Sequence, residues 1–179
     1  MEGSKNVFLI GPMGVGKSTI GRHLSDLLGL RFLDSDQELE RRTGVSIPWI
    51  FEIEGEEGFR RRESQIIEEL AHREGVVLAT GGGAVLREEN RACLSAHGFI
   101  VYLEASLETL LERTRRDRHR PLLQQGDPRA ALEALIAVRH PLYLGLADLV
   151  ISTDRRSATA VAHEVARHVG PENHENVQA

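Results

Sequence analysis

Gly11-Pro12-Met13-Gly14-Val15-Gly16-Lys17-Ser18-Thr19 sets the fold of this 179-residue chain. Gly11, Gly16, Lys17 and Ser18 keep the spacing of a phosphate loop: a glycine, four residues, then Gly-Lys-Ser/Thr. A glycine-rich turn carries little side-chain bulk, so its backbone N–H groups can converge on phosphate oxygens. Lys17 supplies a flexible ammonium for the β- and γ-phosphates, and the Ser18 hydroxyl suits Mg²⁺, a cation that prefers oxygen. A helix starting at the loop adds its positive end to the same anion site.

The flanks agree. Val7-Phe8-Leu9-Ile10 is a short apolar run suited to a buried parallel strand. Ile20, Leu24, Leu27 and Leu28 recur at helical spacing, with Gly29 as the stop. Further out, strand-like runs alternate with helical patterns, the signature of an α/β fold with a parallel sheet. The later strands are expected at 31–33, 76–80, 99–103 and 149–151. Ser46, Ser106 and Asp127 are expected helix caps, and Gly55 and Gly58 are expected to interrupt the region after Ser46. Pro141 is expected to kink or end a helix near His140. The expected organisation is a single domain over 1–171, with a mobile lid at about 115–127 and a disordered tail at 172–179.

Composition sets limits. With 41% hydrophobic and 27% charged residues, the chain has the make-up of a soluble globular protein. A net charge of −5 argues against nucleic-acid binding through a basic surface. No apolar run approaches a membrane span, and the first residues do not form a secretory signal. One cysteine, Cys93, excludes an internal disulfide and suits a reducing cytoplasm. It is expected to be a small buried residue. The eight histidines show no metal-ligand spacing, which argues against a structural zinc site.

In an open α/β sheet, ligands bind beyond the carboxyl ends of the strands. Asp34 and Asp36 fall there, two residues apart, so an extended backbone would point both carboxylates the same way. One could orient a metal through water and the other could hold or deprotonate an attacking hydroxyl. Gly81-Gly82-Gly83 follows a strand directly, which suits a close approach of backbone to ligand. Of Arg60, Arg61 and Arg62, at most two can face the site from one helix. Arg113, Arg115, Arg116, Arg118 and Arg120 form a second basic cluster, from which Arg120 is expected to reach the phosphates. Trp49 and Phe51 suit either core packing or a wall of the acceptor pocket.

Taken together, these motifs resemble those of the shikimate kinase family over about the first 170 residues. The resemblance rests on the loop at 11–19, Asp34-Ser35-Asp36, Phe59-Arg60 with Glu63, Gly81-Gly82-Gly83-Ala84-Val85, Arg120-Pro121-Leu122-Leu123 and Arg139-His140-Pro141-Leu142-Tyr143. It implies a three-layer phosphate-loop kinase fold with a five-stranded parallel sheet and helices on both faces. It also implies transfer of the γ-phosphate of ATP to the 3-hydroxyl of shikimate, with Mg²⁺. Gly14, Val15, Gly16, Lys17, Ser18 and Thr19 then cradle ATP, Ser18 binds the metal and Asp34 supports it through water. Lys17, Asp36 and Arg120 are the implied catalytic groups. Asp36, Arg60, Gly82 and Arg139 bind shikimate, while Arg113 and Arg156 flank the nucleotide. The expected partner is this small molecule, with neither nucleic acid nor membrane, for a monomer in the cytoplasm. Gluconate, another anionic polyol, is the alternative acceptor. A nucleoside monophosphate is a third, and a nucleotide-dependent binding switch without kinase activity a fourth reading.

Overall fold

The computed structural model describes residues 5–115 and 126–170. Its centre is strand β1 (Asn6–Ile10), every residue of which is buried. Alternate residues of β1 serve two separate cores, as the twofold period of a strand requires. Phe8 and Ile10 enter one, and Val7 and Leu9 enter the other. The remaining strands are β2 (Arg31–Asp34), β3 (Val76–Ala79), β4 (Gly98–Glu104) and β5 (Leu149–Ser152). They pair in parallel in the order β2-β3-β1-β4-β5. Strand limits differ from the sequence expectation by a residue at an end.

Helices cover both faces. Helices α1 (Lys17–Leu28), α5 (Leu107–Thr114) and α7 (Ala158–Val169) pack on the Val7 face, through Ile20, Leu24, Leu110 and Val161. Helices α2 (Ser35–Thr43), α3 (Ile47–Ala71) and α4 (Glu88–His97) pack on the Phe8 face, through Leu39, Ile67 and Leu94. Helix α6 (Pro128–Leu146) serves both, with Leu132 in one core and Tyr143 in the other. Among the described residues no helix is long and apolar enough to cross a membrane.

Three local expectations change. Gly58 does not interrupt its helix. The break falls at Gly55 alone, at φ 72°, ψ 179°, a conformation open essentially only to glycine. Pro141 does not end α6, which runs on to Leu146. Proline removes a helical N–H and costs about 3 kcal/mol in a helix interior. Here Arg139 and Tyr143, on either side of it, are both buried, and their tertiary packing outweighs the local loss. The segment from Asp34 to Asp36 is not extended throughout: Asp34 ends β2 and caps α2, while Asp36 already lies in the first turn of that helix. The expected lid lies largely outside the described residues, Arg120 with it, as does the expected tail.

Candidate active site

Three adjoining cavities run along the carboxyl edge of the sheet. The middle one, about 230 Å³, is the phosphate loop itself, with Lys17, Ser18 and Thr19 facing Asp34, Asp36 and Gly81. Gly16 is the N-cap of α1 and no side chain caps that helix, so its first-turn N–H groups are left to an anion. The Lys17 ammonium donates to the carbonyls of Gly11 (2.6 Å) and Pro12 (3.0 Å), which holds it over the loop.

Asp34 does two things at once. Its Oδ1 accepts the backbone N–H groups of Asp36 (3.0 Å) and Gln37 (3.1 Å), capping α2. Its Oδ2 accepts the Ser18 hydroxyl at 2.6 Å. One carboxylate thus caps α2 and holds the Ser18 hydroxyl. Two hard oxygen donors side by side at a phosphate loop fit Mg²⁺, which takes one or two protein ligands and keeps water on its other positions.

One neighbouring cavity, about 260 Å³, opens on the Gly14–Gly16 side, between Arg113, Thr153, Arg156 and Ala158. Arg113 donates to the carbonyls of Gly14 (3.2 Å) and Val15 (3.0 Å), bracing the loop from α5. Arg156 is paired with Glu164 of α7. Both expected nucleotide-flanking arginines therefore line one pocket. It follows a backbone anchored by Asp154, which accepts the Ser106 N–H at 3.0 Å.

The other neighbour is larger, about 480 Å³, and shares Ser18, Asp34, Asp36, Gly81 and Gly82 with the phosphate cavity. Arg60 and Arg139 enter it from α3 and α6, and both are buried. Arg60 donates to Glu63 Oε1 at 2.7 Å, and the exposed Glu56 lies 3.7 Å away. Burial pushes the Glu63 carboxyl above its ordinary value, against the pull of Arg60, and lowers Arg139. Two buried guanidiniums thus share one buried carboxylate, an arrangement short of negative charge. The Arg60 guanidinium lies against Gly83, where a Cβ would come within 2.2 Å of Nη2. A side chain there would push the guanidinium out of its present place.

The sequence reading quoted Glu63 and Tyr143 within its motifs but gave neither a place in the site. Glu63 sits one helical turn from Arg60, and Tyr143 one turn from Arg139; those i,i+3 and i,i+4 spacings were the available signals. Arg139 lies beside Tyr143 in the same helix, and the Tyr143 hydroxyl donates to the Gly82 carbonyl at 2.5 Å. Tyr143 also stacks on Tyr102, whose hydroxyl meets His140 Nδ1 at 2.8 Å. The carbonyl of Gly82 is thereby pinned from behind the cavity.

Other expectations sort plainly. Phe51 and Phe59 line the cavity with ring centroids 4.7 Å apart. Trp49 does neither of the things expected of it: it is 51% exposed and lines a separate surface groove with Val45 and Ile53. Of the three consecutive arginines, only Arg60 enters the site; Arg62 pairs with Glu54 outside it, and Arg61 is exposed. Arg120 lies outside the described residues.

Comparison with known proteins agrees with this architecture. The family model for shikimate kinase matches residues 13–169. A shikimate kinase of Shewanella oneidensis is 54% identical over 170 residues, 95% of this chain and 99% of the relative. A solved shikimate kinase from Acinetobacter baumannii, in complex with shikimate, superposes with a TM-score of 0.90 at 49% identity, covering 92% of both chains. One from Bacteroides thetaiotaomicron does so with a TM-score of 0.84 at 28% identity, over 92% of this chain and 98% of that one. With a family model spanning most of its length and a relative identical at more than half of the aligned positions, the chain belongs to the shikimate kinase family.

Proposed function

We propose that this protein transfers the γ-phosphate of ATP to the 3-hydroxyl of shikimate. The observation that carries the reading is the continuity of the three cavities. A nucleotide side bounded by Arg113 and Arg156, a phosphate loop, and an acceptor side ending in Arg60 and Arg139 form one trench. The acceptor side pairs a carboxylate at the phosphate end with two arginines at the other, matching a small triol that bears one carboxylate.

The division of labour follows. Gly14 to Thr19 enclose the phosphates with backbone N–H groups, and Lys17 offsets charge on the β- and γ-phosphates. Arg60 and Arg139 fix the shikimate carboxylate, with the Gly82 backbone beside them. Asp36 orients the 3-hydroxyl and takes its proton. The hydroxyl oxygen forms a bond to the γ-phosphorus as the bond to the β–γ bridging oxygen breaks, leaving ADP and shikimate 3-phosphate. Ser18, with Asp34 behind it through water, would hold Mg²⁺, which when bound neutralises charge on the β- and γ-oxygens. Little covalent help is needed, so positioning and charge supply most of the acceleration. Arg120 is proposed to cover the phosphates from the lid. A single chain supplies every group named, and a monomer is the proposed active form.

The test is ADP release from Mg-ATP with shikimate, gluconate, AMP or no acceptor. Stimulation by shikimate alone is expected. Stimulation by gluconate instead would overturn the acceptor assignment while keeping the phosphate loop, and nucleotide binding without any stimulation would favour a binding switch.

A further inference from the structure

We propose that His72, Cys93 and His97 form a binding site for a borderline-soft divalent metal, Zn²⁺ first, at the edge of the sheet opposite the trench. The three residues are far apart in the chain or on different helices, and the fold joins them. His72 caps the C-terminus of α3, and Cys93 and His97 lie one turn apart at the end of α4. One ring nitrogen of each histidine and the Cys93 sulfur all lie within 4.8 Å of one another. The imidazole centroids are 4.1 Å apart, and Cys93 Sγ lies 3.9 Å from the nearer edge of the His97 ring. Zinc–sulfur and zinc–nitrogen bonds of about 2.3 and 2.0 Å set donors about 3.5 Å apart in a tetrahedron. The side chains need close only slightly, and His72, at the surface, can tilt about its bond to the Glu68 carbonyl.

Three further features favour a cation. His72 Nδ1 meets the Glu68 carbonyl at 2.6 Å, and His97 Nδ1 meets the Cys93 carbonyl at 2.7 Å. A carbonyl only accepts, so each Nδ1 carries the proton and each Nε2 keeps its lone pair. Metal-bound histidines are held in this way by an outer partner. Both histidines stand at helix C-termini, the negative ends of their dipoles. Partial burial, and after it the nearby Glu68 carboxylate, pushes the Cys93 thiol up from its ordinary value. Binding therefore exchanges the thiol proton, released to solvent, for a metal–sulfur bond. Three protein donors leave a fourth position for water. Since α3 and α4 end here and lead into β3 and β4, a bound ion would clamp the two helices at the far side of the sheet from the chemistry.

The test uses chelator-stripped enzyme, with Mg²⁺ present to occupy the trench, titrated with Zn²⁺ and in parallel with Co²⁺. One zinc per chain is expected, with a raised melting temperature and a near-ultraviolet thiolate–cobalt band. Cys93→Ala should abolish the band, and His72→Gln or His97→Gln should each weaken zinc about tenfold or more. Shikimate phosphorylation by stripped Cys93→Ala enzyme should match the parent. Equal zinc affinity in Cys93→Ala, or a cobalt adduct without the thiolate band, would overturn the proposal.

Discussion

At the residue scale, Asp34 and Asp36 show how two identical side chains two positions apart acquire different work. Asp34 is committed to a helix cap and to Ser18, so its charge is fixed in place. Asp36 faces the acceptor cavity beside Gly81, where it can meet a hydroxyl. Asp36→Asn is expected to keep ATP binding and to lower turnover by about 10²–10⁴, the usual worth of a positioned proton acceptor. Unchanged turnover would remove both its base and its orienting role. Arg139→Ala is expected chiefly to raise KM for shikimate, by about 30-fold or more, because it takes one buried partner from a carboxylate. Steady-state kinetics with each substrate varied in turn checks this: an effect on ATP alone would show that Arg139 serves the other end of the trench. Both residues were legible in the sequence because they stand in motifs. Tyr143 stands in the same motif as Arg139, but its hydrogen bond to Gly82 was not legible there because it depends on a distant loop.

At the element scale, helix α3 carries much of the acceptor cavity on either side of its break at Gly55. The first segment supplies Ile47, Pro48 and Phe51, and the second supplies Phe59, Arg60 and Glu63. A Cβ at Gly55 would meet no atom within 4 Å, so Gly55→Ala acts through backbone strain alone. A loss of about 1–3 kcal/mol is expected, readable by denaturant titration, together with a higher KM for shikimate as the first segment shifts. Wild-type stability would show that the angle between the segments is set elsewhere. Helices α2 and α3 are also tied by Arg42, which donates to Glu38 at 2.8 Å and to Glu69 at 2.6 Å. Hydrogen bonds from arginine, Arg41 before Arg42 for Glu38 and Arg42 for Glu69, hold both carboxyls at about 2, below their ordinary 4.5. Depressed carboxyls stabilise the fold above the unfolded value and lose that contribution as pH falls through the folded one. Stability should therefore decline between pH 4.5 and about 2, and Arg42→Ala should flatten that limb. The effect is modest because the groups are at the surface and screened. An unaltered acid limb in the variant would place the sensitivity elsewhere.

At the scale of the whole molecule, what was legible follows from what is local. The strands could be read because a strand buried on both faces is apolar throughout, as Val7 to Ile10 are. The phosphate loop could be read because its chemistry needs adjacent residues. Pro141 does not end its helix because the local penalty is real but smaller than the tertiary packing of its neighbours. Trp49 is the opposite case: nothing in the fold claims it, and it stays at the surface. The grouping of His72 with Cys93 and His97 was not legible, because helix packing rather than spacing creates it.

The central position of β1 also has a consequence for how the chain is born. Its partners come late: Val7 pairs with Val77 and Phe99, and among the described residues β2 has only β3 beside it. A nascent chain that has not yet emerged past Val76 can form α1 but has no sheet in which to place the apolar run Val7–Ile10. Closing such distant parallel pairs is slow, and the exposed run is prone to aggregate or to engage a chaperone meanwhile. A fragment of residues 1–75 should therefore show helix but no cooperative unfolding, and one extended past β4 should gain it. Cooperative melting of the shorter piece would mean that residues 1–75 fold without the strands that flank β1.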